Sequence, residues 1–295
     1  MPLLDVVLGY DCNLKCSYCT ITDPMRARAL DPQVVAREIE RAAARGWRRV
    51  AFTGGEPTIF PALPKLVRFA RQRGFDEIKV ASNGLRYAHA PYLDHLVECG
   101  VNVFNMSMHA VDDPAYERTV HLDDSARLRR QAIANLVERE LDPVADLILE
   151  NDTYPQLCEW IANLVDQGVR RFNLWLVSLT DENAGHVEQL PALADLAPVL
   201  CRAFDQARSG GYEVISLHVP RCVLPGYEDH VRHPGADGVR VVTPDDCFDL
   251  TDSRLTGGVK PRECSGCRYE QSCPGLRTDY VDVHGTTGIA TVAPA

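Results

Sequence analysis

The chain has no apolar run approaching the roughly 18–20 residues that a membrane helix needs, which excludes a helical span. No basic stretch precedes an apolar one at its start. Met1-Pro2-Leu3-Leu4-Asp5 reads as the entry to a strand and not as a secretion signal. Positive charge is scarce, with 31 Lys and Arg against 41 Asp and Glu and a formal net charge of −10. That balance lacks the basic footprint of nonspecific nucleic-acid binding, so neither nucleic acid nor membrane is expected as a partner. Lysine is nearly missing: Lys15, Lys65, Lys79 and Lys260 are the only four, and the arginine bias reflects composition more than function. Internal repeats are absent apart from a β-α rhythm. Against these shortages stand 11 cysteines in 295 residues. With no secretion signal, metal or redox chemistry is the expectation, not a disulfide framework, and the location expected is cytoplasmic.

With 45% hydrophobic and 24% charged residues, the chain can bury a sizeable core. Strands are predicted over 3–8, 49–53, 77–82, 101–108, 144–150 and 171–178, with a further extended run over 212–219. Between them, helical periodicity covers 32–45, 63–73, 92–99, 125–140, 154–167 and 193–208. Asp31-Pro32 offers a cap and an N-terminal proline, and Gly46, Gly74, Gly100 and Gly168 follow helix ends. Six β-α units through about residue 210 predict a parallel α/β sheet with right-handed crossovers, either open or a partial barrel. Either form places ligands at the C-terminal ends of the strands. Beyond about residue 220 the pattern breaks into Pro, Gly, Asp and Cys, so the boundary is set at 1–215 and 216–295.

The first strand runs into Gly9-Tyr10-Asp11-Cys12-Asn13-Leu14-Lys15-Cys16-Ser17-Tyr18-Cys19. Three thiolates at this spacing can hold three corners of a [4Fe–4S] cube and leave one iron without a protein ligand. The competing reading is a zinc knuckle or buried structural thiols, but a structural zinc wants a fourth ligand and no obvious one lies nearby. At the end of the second strand stands Thr53-Gly54-Gly55-Glu56-Pro57-Thr58, whose paired glycines allow close backbone approach.

In Cys12, Cys16, Cys19 and Tyr18, and in the segment 53–58, the sequence resembles the radical S-adenosylmethionine (SAM) enzymes over roughly residues 3–210. The resemblance implies a partial (β/α)6 TIM-type barrel. It implies a [4Fe–4S] cluster on the three cysteines, with SAM chelating the open iron. Gly54, Gly55, Glu56 and Pro57 would meet the methionine part of SAM. Ser82 and Asn83 close the third strand, Ser107 the fourth and Glu150 the fifth, where similar residues meet the rest of SAM. The family's reductive cleavage of SAM yields a 5′-deoxyadenosyl radical that abstracts a substrate hydrogen, with electrons from a flavodoxin- or ferredoxin-type partner.

A second thiol group is Cys247 with Cys264-x2-Cys267-x5-Cys273, four thiolates in about 27 residues. Followed by Pro274-Gly275, Tyr280 and Gly285, it resembles a shortened SPASM module of the Twitch type, implying one auxiliary [4Fe–4S] cluster. Zinc on four thiolates is the structural alternative. Cys222 is the fallback for Cys247 as fourth ligand. Cys99, Cys158 and Cys201 fall within predicted helices and read as packed hydrophobes.

The favoured reaction is modification of a ribosomally made peptide. The alternative is oxidation of a small metabolite, such as an alcohol carbon of a sugar or cyclitol. A non-catalytic electron carrier is a third reading, but a carrier has no need of the segment 53–58. The first strand begins at about residue 3, which leaves no room for a precursor-binding wing and counts against the peptide reading unless a separate partner protein supplies it. Candidate acid–base residues at the barrel mouth are His109, Glu150, Asn173 and His218, although a satisfied core histidine is the favoured reading of His109.

Overall fold

The computed structural model describes residues 1–233, 238–253 and 258–293. Residues 234–237, 254–257 and 294–295 of the expected C-terminal module lie outside them. The β-α order runs as the spacing predicts. Strands β1 (Leu3–Val7), β2 (Arg49–Thr53), β3 (Glu77–Ser82), β4 (Val103–Met108), β5 (Val144–Leu149), β6 (Arg171–Leu176) and β7 (Glu213–Ser216) pair in parallel, each with the next. Helices α1 (Asp23–Arg26), α2 (Pro32–Ala44), α3 (Leu63–Gln72), α4 (Ala90–Cys99), α5 (Asp113–Val120), α6 (Ser125–Glu138), α7 (Leu157–Asp166) and α8 (Leu193–Gly210) lie between them. This is the parallel α/β sheet that the alternation implied, in the partial TIM-type barrel form that the resemblance implied.

The curved sheet separates two chemistries. Leu4, Val6, Phe52, Ile78, Val80, Phe104, Met106, Leu147, Phe172 and Leu174 sit on the helix-facing side and are buried. Each such side chain contributes about 1.5–3 kcal/mol by leaving water. The alternate positions face inward and are largely polar: Asp5, Thr53, Lys79, Asn105, Asp146 and Asn173. Asp146 accepts from Asn105 Nδ2 at 2.9 and 3.1 Å, from Asn173 Nδ2 at 2.8 Å and from Trp175 Nε1 at 3.1 Å. A buried carboxylate without such donors would cost several kcal/mol, so this network fixes the interior of β4, β5 and β6. Helix α2 starts where Asp31 caps Gln33 N at 2.7 Å, with Pro32 next, and it buries Val35, Ile39 and Ala42 on one face.

Two features differ from the sequence reading. Helix α5 was not anticipated, although Asp112 caps it by accepting from Ala115 N at 2.7 Å and Pro114 opens it. The region after 215 is also not separate from the sheet. Strand β8 (Val239–Val242) adds to β1 in parallel, and β9 (Cys247–Asp249) pairs antiparallel with β8. Tyr10 and Arg28 fasten this hairpin through Asp245, at 3.0 and 2.6 Å. The remaining segment forms the two-stranded β10 (Gly258–Val259) and β11 (Leu276–Arg277) and helix α9 (Thr278–His284). Leu276 and Tyr280 join the main core, and Leu193 N donates to the Tyr280 hydroxyl at 3.0 Å. Cys99 is buried in the main core, and Cys158 and Cys201 pack against it, as expected.

Candidate active site

A cavity of about 350 Å³ opens at the C-terminal ends of the strands. The loop after β1 supplies Cys12, Cys16, Tyr18 and Cys19 to its wall. Thr53, Gly54 and Gly55 come from β2 and the turn after it, Ser82 and Asn83 from β3, Ser107 from β4, Ile148 from β5, Trp175 from β6, and His218 from just beyond β7. Eleven expected site residues therefore meet in one place: the three cysteines, Tyr18, both glycines, Ser82, Asn83, Ser107, and the acid–base candidates His109 and His218.

Local bonds shape the cysteine loop. Cys19 N donates to Cys16 O at 3.0 Å, and Arg26 donates to the carbonyls of Cys12 and Leu14, each at 3.3 Å. The sulfurs of Cys12 and Cys19 accept from Leu14 N and Ile21 N, each at 3.4 Å. Beneath the loop, Leu14 packs with Leu85, Tyr116 and Val120, which gives the unanticipated α5 its function as the loop's backing. Burial raises the thiol pKa of Cys12 and of Cys16, so a metal or another strong electrophile is needed to hold them as thiolates.

The glycines serve the loop as well as the cavity. A Cβ on Gly55 would stand 2.3 Å from Asp11 O, and one on Gly54 would stand 2.4 Å from Gly9 O. Gly54 also has φ +144°, which disfavours any side chain. That contact lets Gly55 N reach Gly9 O and Glu56 N reach Asp11 O, both at 2.8 Å. Glu56 and Pro57 are buried and lie behind the cavity wall. The Glu56 carboxylate accepts from Thr58 N at 2.9 Å, Ser82 Oγ at 2.7 Å, Asn83 N at 2.8 Å and the Thr58 hydroxyl. It clamps the end of β2 to the end of β3 and so places Asn83, whose Nδ2 donates to Asn13 Oδ1 at 2.8 Å.

His109 is buried, with Nδ1 bonded to the Tyr18 hydroxyl and Nε2 unpartnered, so it is only half satisfied. Burial, with Arg129 nearby, lowers its pKa to about 3, and burial first and Arg277 second lower that of His218 to about 3. Both rings are neutral. Asn173 serves the Asp146 network and does not line the cavity.

Glu150 is buried and also off the cavity wall. Desolvation, with Asp152 adding repulsion, raises its pKa to about 7. The folded state therefore binds this proton more tightly than the unfolded chain. Its contribution to stability is complete below the ordinary value of 4.5 and is lost as pH rises through about 7. Buried His109 and His218 act in the opposite sense, since their lowered pKa values make stability rise with pH up to the ordinary value of 6.5. The Glu150 effect is therefore read as a difference: in urea unfolding of the metal-free chain, wild type is expected to lose on the order of 3 kcal/mol relative to Glu150→Gln across that window, and a constant difference would overturn the raised Glu150 pKa.

The second thiol group is assembled differently from the sequence reading. Cys222, Cys264, Cys267 and Cys273 line one narrow cavity with Pro220, Tyr269 and Leu276. Cys247 is not among them. It begins β9, pairs with Val242 of β8 and packs against the main core, so the sheet holds it at its edge. Cys222 reaches the group from a 3-10 turn over Arg221–Val223 that follows β7. Sequence spacing did not favour it because 42 residues separate it from Cys264. Its raised thiol pKa comes first from burial, then from its sulfur neighbours Cys273, Cys264 and Cys267.

Sequence reasoning also missed Arg277, Asp279 and Trp175. Arg277 is buried, pairs with Asp279, and donates to the carbonyls of Leu176 and Val177 at 2.9 and 2.7 Å. No local pattern around Arg277 signals this. Only the pairing of a C-terminal segment with the end of β6 creates it. Among the described residues, no helix is long and apolar enough to cross a membrane.

Residues 6–149 match the model of the Radical SAM superfamily. The chain is 38% identical over 103 residues to the GTP 3′,8-cyclase of Chlorobaculum tepidum, a match covering 34% of this chain and 31% of that enzyme. It is 25% identical over 296 residues to the PqqA peptide cyclase of Methylorubrum populi, covering 98% of this chain and 71% of that one. Among solved structures, Streptococcus suis SuiB bound to S-adenosylmethionine superposes with TM-score 0.70 at 14% identity, over 98% of this chain and 76% of that one.

Proposed function

Because this chain belongs to the radical SAM superfamily and is an enzyme, we propose that it modifies a ribosomally made peptide by abstracting a hydrogen from it. The donor set fits the cofactors: three thiols on one loop face a cavity with room for a second ligand. A [4Fe–4S] cluster bound there together with SAM would supply the radical chemistry that removes a hydrogen from the substrate. Cys12, Cys16 and Cys19 would hold the cluster. Gly54 and Gly55 offer backbone to SAM's methionine part, Asn83 and Ser107 offer polar side chains, and Glu56 holds that wall in place.

One observation carries the substrate reading. No Lys or Arg is among the described residues lining the cavity, and its two histidines are neutral. Arg277 nearby is engaged by Asp279 and two carbonyls. A triphosphate needs several cationic or backbone donors, so this wall does not suit GTP, the substrate named for the Chlorobaculum relative. Neutral apolar and aromatic surface from Ile148, Trp175, Leu176 and Val177 suits a peptide segment. The same wall would admit a small neutral alcohol, the second reading.

We assign Cys222, Cys264, Cys267 and Cys273 to an auxiliary [4Fe–4S] site, the electron acceptor that a net oxidation requires. A cytoplasmic flavodoxin- or ferredoxin-type reductant and a separate precursor-binding protein complete the proposal.

The test is substrate-stimulated 5′-deoxyadenosine formation with SAM and a low-potential reductant. Cell extract split by ultrafiltration into peptide and metabolite fractions is compared with GTP. Stimulation by the peptide fraction, with hydrogen loss seen by mass spectrometry, is expected. Stimulation by the metabolite fraction alone would move the assignment to the alcohol reading, and saturable stimulation by GTP would overturn both.

A further inference from the structure

We propose that His218 is a fixed hydrogen-bond donor to a substrate oxygen, presenting Nε2–H to the cavity and held in that tautomer by Arg277. The inference rests on reading this cavity as the substrate site. It names the chemistry recognised there: a neutral group with a carbonyl or hydroxyl oxygen.

The argument is a count of donors. A guanidinium has five N–H groups and accepts nothing. In Arg277, Nε donates to Asp279 Oδ1 at 2.9 Å, and Nη2 donates to Asp279 Oδ2 and to Val177 O, the latter at 2.7 Å. Nη1 donates one hydrogen to Leu176 O at 2.9 Å. Its other hydrogen meets His218 Nδ1 at 3.1 Å. We assign Nδ1 as the bare, accepting nitrogen, because its 3.1 Å contact to Nη1 is shorter than its 3.4 Å contact to Leu176 O, to which it would otherwise donate. Leu176 O also lies 3.4 Å from Nδ1. With Nδ1 bare, these are two acceptors bridged by one Nη1. A neutral imidazole with a bare Nδ1 carries its proton on Nε2.

The ring's direction is fixed as well as its proton. Trp175 meets it edge-to-face, with centroids 5.2 Å apart and planes at 75°. Trp175 is itself anchored by the bond from Nε1 to Asp146. Both rings line the cavity, and no described protein group bonds Nε2. His218 is thus not a general base, because its free nitrogen already holds a proton. Arg277 is a positioning residue, and it comes from the same C-terminal segment as Cys273. The segment that carries the second thiol group therefore also sets the polarity of the first cavity's far wall.

Long-range 15N–1H correlation spectra of full-length protein labelled with 15N-histidine test this, with His218→Gln used to assign the signal. One ring with bare Nδ1 and protonated Nε2 is expected, unchanged from about pH 5 to about pH 8. In Arg277→Gln the ring should no longer be held in one tautomer, because the guanidinium donor to Nδ1 is gone, while burial, the larger cause of its lowered pKa, keeps it neutral. N-methylacetamide, a carbonyl probe, should shift the wild-type Nε2 signal saturably, and tetramethylammonium, which has no acceptor, should not. A protonated Nδ1 in the wild type, or no saturable response to N-methylacetamide, would overturn the inference. Both readings come from the wild type, so they stand even where Arg277→Gln does not fold. SAM cleavage is scored separately: its loss sinks the radical reading, whereas a wrong tautomer beside intact cleavage sinks only this one.

Discussion

The triple variant Cys12→Ala, Cys16→Ala, Cys19→Ala is expected to form no 5′-deoxyadenosine and to retain about four of about eight irons per chain. All three sulfurs face one cavity, and the remaining walls offer no replacement thiol. The loss should be complete, because no other described residue there can ligate iron as a thiolate. The second thiol group lies on separate segments, around a separate cavity, so its iron should survive. Cys222→Ala should then remove the remaining iron in the triple background, while Cys247→Ala should leave it, since β9 holds Cys247 at the sheet edge. Anaerobic reconstitution with iron and sulfide analysis measures all of these. Four irons falling to none, with zinc retained, would make the second site structural, and redox-neutral chemistry would become the better reading. Retention of iron in Cys222→Ala with loss in Cys247→Ala would overturn the ligand assignment drawn from the fold.

The strands were legible because their physics is local. Arg49–Thr53 and Glu77–Ser82 have the bounds predicted: the first is a short run whose three middle residues are all buried, and in the second buried and half-buried positions alternate. The cysteine loop was legible for the same reason: ligand spacing is a property of consecutive residues. Less legible was everything set by approach between distant segments. Gly54 and Gly55 read as a place for a ligand, yet their closest neighbours are the backbone atoms of Gly9, Tyr10 and Asp11. Glu56 read as a cofactor contact, yet its four donors come from Thr58, Ser82 and Asn83. Strand β8 is only four residues long and lies in a region rich in turn formers, so nothing local announces that it extends the sheet beside β1. Counting along the chain favours Cys247 over Cys222, whereas topology decides which of them meets Cys264, Cys267 and Cys273.

Arg277→Met is expected to lower unfolding free energy by about 3–5 kcal/mol, the range for removing one partner of a buried ion pair. The side chains of Arg277 and Asp279 are only 3% and 10% exposed, so water cannot take over the lost bonds. Arg277 holds the Asp279 pKa below the usual carboxylate range against the opposing effect of burial. Without it that carboxylate is buried with bonds only from the backbone of Leu179 and Tyr280, both at 3.0 Å. The carbonyls of Leu176 and Val177 would lose their guanidinium donors as well. The cost arises chiefly from stranding a charge, so it should be largely recovered in Arg277→Met with Asp279→Leu, where no charge remains to be desolvated. Denaturant titration of both variants at neutral pH distinguishes this from a simple packing defect. Recovery by the second substitution supports the ion-pair account, and a double variant as unstable as the sum of its parts would refute it. The recovered double variant would still lack the donor to His218 Nδ1. It therefore separates what Arg277 does for the fold from what it does for the cavity.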